Sequence, residues 1–462
     1  MALSSEEQTA FDTLSKELTA AQPGFDLADK YYDGMQEFEQ LGLAIPPDLQ
    51  RFTVIVNWAL IVVDGLHERI SHKGIKLPGL ESGDKELWRI FRANGLPTQS
   101  LLGFLDAFVY GRSYYCVGEN EDDPKTPLIT VESPKEVITE RDYRKNKVKS
   151  ALRMYDVVEG KPTAATLYLP NETIWLEGDG TGFEESDRDE HGLDHVPVVP
   201  MFNRRRLTIP GNRKTQGVSE MAGIIPIIDA AARNITNAQL AQETHAVPAR
   251  AVLGVSKGDF VDQDGKPIPV WESYFGSVWG ITNEKASVHQ FDSSSMENFE
   301  RMMNLYARMA SGVSGLPSSY FGLAADDAAS ADAIRSREAR LVKRAELAGA
   351  NFGEASAEAI KIAVRIRDGK WDPELDLIEM LMNDPATPTK AQQSDSVVKL
   401  YQAQDNQGRP LLPAEMAYED LGWDPDRIER ALAMRARDAE DPQLNRVTQN
   451  FQDVTGAAGG GQ

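Results

Sequence analysis

Cysteine is nearly absent from this chain. Cys116 is the only one in 462 residues, so no intrachain disulfide can form and the core must hold without one. It follows directly on Tyr114 and Tyr115, the setting of a buried, inert thiol. Long apolar runs are missing too. The longest, Val54–Val63, contains Asn57 and is too short to span a bilayer. Met1–Ala10 has neither the basic nor the apolar region of a secretory leader. Cytosolic synthesis without membrane contact is therefore expected. Positive charge is scarce: 49 Lys and Arg face 71 Asp and Glu, a formal charge of −22. Such a balance opposes non-specific adhesion to phosphate backbones and anionic membranes.

Catalytic signatures are equally thin. His67, Glu68 and His72 resemble a zinc-binding helix, but histidines five positions apart lie about 140° around a helix, where a metal needs a spacing of four. Gly312-Val-Ser-Gly315 is one residue short of a nucleophile elbow. Gly160-Lys161, Gly265-Lys266 and Gly369-Lys370 lack the upstream glycine and the following hydroxyl residue of a phosphate-cradling loop. His191 and His195 flank Asp194 and could touch a divalent ion. Residues 178–194, however, carry seven acids against one Arg and read as a solvated, mobile hairpin loop, a poor cage for a metal. No catalytic residue, metal or cofactor is expected, and the chain does not read as an enzyme.

What is present is a core of sufficient size: 41% hydrophobic against 26% charged residues allows two to four structural units. The first 110 residues read as helical, with an exposed amphipathic helix from Ser4 to about Leu18 carrying Phe11, Leu14 and Leu18, an arm or a packing helix. Short β-branched and aromatic runs then predict a small antiparallel β domain over about 111–202, with strands at Ser113–Val117, Leu128–Val131, Ser150–Val158, Ala165–Leu169, Thr173–Leu176 and Val196–Met201. Five basic residues and no acid follow between Asn203 and Lys214, a phosphate contact or an intersubunit ionic surface. A helix is predicted from about Val218 to Glu243, where Pro226 is tolerated only near the first turn. A β insert follows, with strands at Val247–Leu253, Val270–Phe275, Ser277–Ile281 and Ala286–Phe291, and then a Met-striped helix from Met296 to Met309. Glycines and a proline between Gly312 and Gly322 block regular structure. One helix of roughly 60 Å is predicted from about Ala328 to Arg367, started by Asp327 or Ser330. Its alternating charges, such as Arg344 and Glu358, suit a solvated or intersubunit ionic face. Short Pro-punctuated helices from Trp371 form a separate cap, and the tail after Phe451 is too poor in apolar residues to stay ordered. The fold class is α+β, mainly α.

This order of elements, with Gln216-Gly-Val-Ser219, Pro248-Ala-Arg250 and Ser311-Gly-Val-Ser-Gly-Leu-Pro317 through Tyr320-Phe-Gly322, resembles portal proteins of tailed bacteriophages, particularly long-tailed ones. The resemblance covers about residues 25–440. It implies a wing over 1–216, stem helices at 217–246 and 294–311, a clip at 247–293, a tunnel loop at 312–330, a long wing helix at 331–370, a crown at 371–450 and a flexible tail at 451–462. It further implies a homo-oligomeric ring, usually of twelve copies, at one capsid vertex of the virion. Double-stranded DNA would pass through it in packaging and ejection. The terminase large subunit and then a head-tail adaptor would dock on it, and major capsid and scaffolding proteins would surround it. An acidic channel repels phosphates, so DNA slides rather than sticks. Ser318, Ser319, Tyr320, Arg301 and Arg308 are the candidates to line the channel. Two other readings stay open: an acidic scaffold that never contacts DNA, and a metal-dependent hydrolase using His191 and His195.

Overall fold

The structure is a computed structural model and describes residues 3–37, 54–77, 83–142, 144–178, 182–205, 217–245, 250–253, 260–261, 280–281, 287–290, 296–323, 331–386, 390–405, 407, 409–423 and 425–440. In chain order the elements begin with α1 (Ser5–Tyr32), α2 (Trp58–His67), β1 (His72–Lys76), α3 (Lys85–Ala93) and α4 (Leu96–Tyr110). Eight strands follow: β2 (Arg112–Gly118), β3 (Leu128–Glu132), β4 (Val137–Asp142), β5 (Lys147–Val158), β6 (Lys161–Tyr168), β7 (Thr173–Gly178), β8 (Phe183–Asp189) and β9 (Val198–Phe202). Next come α5 (Ile225–His245), β10 (Arg250–Leu253), β11 (Phe260–Val261), β12 (Gly280–Ile281), β13 (Ser287–Gln290), α6 (Glu297–Ser314) and α7 (Ala331–Asp368). The described chain closes with β14 (Glu379–Met382), α8 (Lys390–Gln402), α9 (Ala414–Asp420) and α10 (Pro425–Glu440). The fold is α+β. It divides into two compact units, one of Met1–Asp26, Val63–Glu220 and Glu338–Gln462, the other of Leu27–Val62 and Met221–Arg337.

In the first unit, β4-β5-β6-β7-β8 form an antiparallel sheet of five strands, and β3-β2-β9 one of three. Period-two alternation gives the larger sheet two apolar faces. Ile138, Leu152, Leu167, Ile174 and Leu176 receive Phe11, Leu14 and Leu18 of α1, whereas Val137 and Ala151 turn toward Tyr114, Cys116 and Val198. Of the two expected roles, arm or packing helix, α1 takes the second, and at 28 residues it runs well past Leu18. It starts in a reciprocal box formed by Ser4 and Glu7. The Ser4 N–H donates to the Glu7 carboxylate at 2.6 Å and the Glu7 N–H to Ser4 Oγ at 3.4 Å.

Other segments also depart from expectation, among them β1 in a stretch expected to be helical and β4 where no strand was expected. Residues 183–189 form edge strand β8 rather than a mobile loop. Arg188 makes this possible by holding the carboxylates of Glu7 at 2.8 Å, Glu172 at 2.6 Å and Glu185 at 2.9 Å. The charges that suggested a loop suit an exposed edge, where they discourage pairing with other chains. Residues 379–382, expected among short helices, form β14 and pair with β1. α6 continues to Ser314, and Ser318–Phe321 make a 3-10 turn, so the glycines between 312 and 322 do not all break structure. Gly315 (φ 77°) and Gly322 (φ 83°) supply the left-handed ends.

The Gln216-Gly-Val-Ser219 motif has a backbone reason at Gly217. Its φ is +81°, and a Cβ there would lie 1.9 Å from the Gly111 carbonyl. Asn203 closes the knot, accepting the Val218 N–H on its carbonyl and donating Nδ2 to the Val218 carbonyl, both at 2.9 Å. The expected strand at Val270–Phe275, residues 206–214 of the basic patch, the cap at Asp327 or Ser330 and the tail after Phe451 lie outside the described residues. The β insert is represented by the antiparallel pairs β10–β13 and β11–β12.

Candidate functional site

In the second unit, α5 and α6 carry the residues of interest. Pro226 stands in the first turn of α5, where its missing N–H costs nothing. Glu297 and Glu300 occupy the first turn of α6, the positive end of its dipole. Asn234 Nδ2 donates to the Phe299 carbonyl at 2.9 Å, fixing α6 on α5, and Gly223 leaves 3.0 Å for a Cβ against Val313. Tyr31 donates its hydroxyl to Asp229 at 2.7 Å, and burial beside that carboxylate raises the phenol above its usual range. Phe321 seats the 3-10 turn edge-on against Trp58 at 5.5 Å.

This scaffold leaves the sequence candidates as follows. Ser318 and Ser319 are exposed and Tyr320 is half-buried. Arg308 is exposed, and Arg301 pairs with Glu297 at 3.1 Å in open solvent. At roughly 100° per residue, Arg301, Leu305 and Arg308 share one arc of α6, and Met302, Met309 and Val313 share the adjoining one. The apolar members are open to water: Met302 is 38% exposed, Leu305 42%, Met309 46% and Val313 47%. A stripe of large apolar groups at helical spacing on a surface marks an interaction face.

The two histidines of the acidic segment do not converge as ligands. His195 Nε2 lies 3.3 Å from Glu358 and its Nδ1 2.9 Å from the Val196 carbonyl, while His191 Nδ1 accepts the Leu193 N–H at 3.3 Å. Among the described residues no group of three or more His, Cys, Asp or Glu is placed to hold a metal ion, and no helix is long and apolar enough to cross a membrane. Cys116 is buried and free, and burial pushes its thiol up to about 12.

His72 takes part in a sealed network. Its Nε2 lies 2.9 Å from Ser356 Oγ, which donates to the Phe352 carbonyl at 2.9 Å, and Tyr115 Oη bridges Ser356 and Ser100 at 3.0 and 2.8 Å. Ser356 uses its proton on Phe352, so His72 donates from Nε2 and leaves Nδ1 buried without a partner. Desolvation lowers this imidazole to about 4. A His–Ser pair on paper is here part of the core: Ser356 is 1% exposed and His72 9%.

A second surface, unread in the sequence, is an open groove of about 730 Å³ in the first unit, between the β4–β5 turn, β9, α7 and residues 371–376. Glu358 sits within it between His195 and Lys361 Nζ at 2.9 Å, and Lys361 also reaches Asp376 at 3.3 Å. Burial alone would raise the Glu358 carboxyl, but bonds from His195 and Lys361 reverse that and hold it at about 2. α7 is therefore partly tied within its own chain. Arg344 likewise bonds buried Glu220. The signal that could have found this was Glu358-x-x-Lys361 on one helix face; its partner His195 lies too far away in sequence.

Solved structures similar to this chain include the virion of a native gene transfer agent particle, with TM-score 0.44 and 14% identity, covering 81% of this chain and 92% of that one. The neck of the native particle gives TM-score 0.42 and 13% identity, covering 82% and 94%. Two proteins named "Portal protein" are closer in sequence. That of Mycobacterium phage D29 is 33% identical over 424 residues, 90% of this chain and 85% of that protein. That of Mycobacterium phage L5 is 33% identical over 446 residues, 94% and 88%. The family described as "Phage portal protein, SPP1 Gp6-like" matches residues 13–412, and the chain belongs to it.

Proposed function

We propose that this chain assembles into a ring of about twelve copies at one capsid vertex and serves as the conduit for double-stranded DNA in packaging and ejection. Its role is structural, not catalytic. The terminase large subunit and later a head-tail adaptor dock on residues 247–293, the clip. Capsid and scaffolding proteins surround the wing (1–216 and 331–370), and 371–450 form the crown. Family membership over 13–412 carries this reading. The exposed stripe of Met302, Met309 and Val313 supports it, because in a ring it would be covered by the neighbouring copy. The adjoining arc with Arg301 and Arg308, and the tunnel-loop residues Ser318, Ser319 and Tyr320, then line the channel. A few such donors centre a duplex while the net charge of −22 keeps it from adhering.

The first experiment is native mass spectrometry with negative-stain imaging of the full chain. A closed ring with a central hole is expected, and a compact dimer at all concentrations overturns the reading. The channel assignment has its own test. Arg308→Glu should change DNA retention in filled heads and leave ring mass unchanged; a ring that no longer forms would place Arg308 in the subunit contact instead.

A further inference from the structure

The groove of the first unit and one hairpin of the same unit are complementary. Val157 and Val158, at the β5–β6 tip, are 64% and 59% exposed, unusual for adjacent valines. The turn behind them is held in place: Glu159 (φ 52°) and Gly160 (φ 79°) both have positive φ, as in a primed two-residue turn. Thr163 Oγ1 donates to the Asp156 carbonyl at 2.6 Å. The tip is therefore a fixed apolar point flanked by two acids, Asp156 and Glu159, with Lys161 on the returning strand.

The groove offers the inverse. Val199, Pro200, Phe202, Ala355, Trp371 and Pro373 give it apolar lining, and four cations join them, Arg141, Lys145 and Lys147 from the β4–β5 hairpin and Arg205 just after β9. None of those four cations forms an ion pair among the described residues. Glu354 of α7 and Asp372 just beyond that helix also line it, suited to Lys161. Glu358 is already paired with Lys361 and in contact with His195. Position excludes a contact within one molecule. Lys145 and Lys147 lie at the start of β5 and the tip at its end, and a strand of 12 residues separates them by roughly 35 Å.

We infer that the β5–β6 tip of one copy docks into the groove of the next copy around the ring, an inference that rests on the ring proposed above. Two different surfaces meeting in this way make a head-to-tail contact, the kind that closes into rings rather than twofold dimers. Acid–base matching along the rim sets its register, and the two valines supply the apolar seal.

Cysteine cross-linking tests it. Cys116 is buried with a raised thiol, so the wild-type background stays silent. Val158→Cys combined with Lys145→Cys of the β4–β5 turn, and separately with Asn351→Cys of α7, should give a ladder of covalent oligomers when the assembled ring is treated with a short bis-maleimide. Single variants should give none. An intact ring with no ladder from either pair overturns the docking and leaves the ring standing. A wild-type chain that forms no ring removes both.

Discussion

α1 and α6 carry the same kind of pattern and end in opposite environments. Phe11, Leu14 and Leu18 on α1 are 8%, 0% and 3% exposed against the five-stranded sheet. Met302, Met309 and Val313 on α6, at steps of seven and four that also keep to one face, keep between 38% and 47% of their surface open. Spacing says that a helix has an apolar face; it does not say whether the partner of that face is in the same chain. The first stripe holds the fold together, with each side chain contributing about 1.5–3 kcal/mol by burial. The second, on the present reading, holds copies together and contributes nothing until they meet.

The sharpest way to break the comparison is to truncate both stripes. Leu14→Ala should lower the stability of the chain by about 2–5 kcal/mol, because it leaves a cavity against Leu152 and Leu167. Met309→Ala should change the unassembled chain by less than about 0.5 kcal/mol. Chemical denaturation of the dissociated protein measures both, and equal losses would mean that α6 packs its stripe within the chain. A second contrast lies in pH. The folded chain holds His72 at about 4, below the unfolded value near 6.5, so the unfolded chain takes up a proton first as pH falls. The stability is intact above about pH 6.5, declines through the window and is lost by about pH 4, a change of about 3 kcal/mol. Glu358, held at about 2, loses its contribution only at lower pH, below about 4.5. His72→Gln should flatten unfolding free energy between pH 6.5 and 4. A slope that persists would mean that another group, not His72, titrates there.

How much of this could be read in advance follows from where the information lies. α7, expected from 328 to 367, runs Ala331–Asp368, because its periodicity is local and long. β8 has no local signature, because the pairing of Arg188 with Glu7 spans 181 residues; without that partner the acids read as loop. β1 and β14 are illegible for a similar reason, since each is short and pairs across some 300 positions. The apolar face of α6 was legible as a stripe and not as an exposed one. The Gly217 motif was legible as a motif, but its cause, a close approach to Gly111, needs three dimensions. At the candidate site, the 3-10 turn and α6 bring the expected residues onto one unit, whereas the groove at His195 joins segments from 139 to 376 and had no local signature.

The remaining tests concern the interaction face and its rim. Met302→Gln with Met309→Gln should shift the ring–monomer equilibrium toward monomer by at least about tenfold, corresponding to about 1.4 kcal/mol, as read by analytical ultracentrifugation across a dilution series. Monomer stability should stay put, which separates a lost interface from a damaged fold.

The smallest effect belongs to Arg301. Its pair with Glu297 is 75% and 70% exposed, so Arg301→Ala should cost the fold less than about 0.5 kcal/mol, and less still in high salt. If Arg301 lines the channel, the same change should alter DNA retention in a salt-dependent way, because a guanidinium facing phosphates acts through a screened field. Retention that responds to Arg301→Ala identically at low and high salt would argue for a packing role. The arc of Arg301 and Arg308 would then belong with the methionines to the subunit contact. A salt-dependent response with an unchanged ring would keep the two arcs of α6 distinct, one facing a neighbour and one facing the duplex.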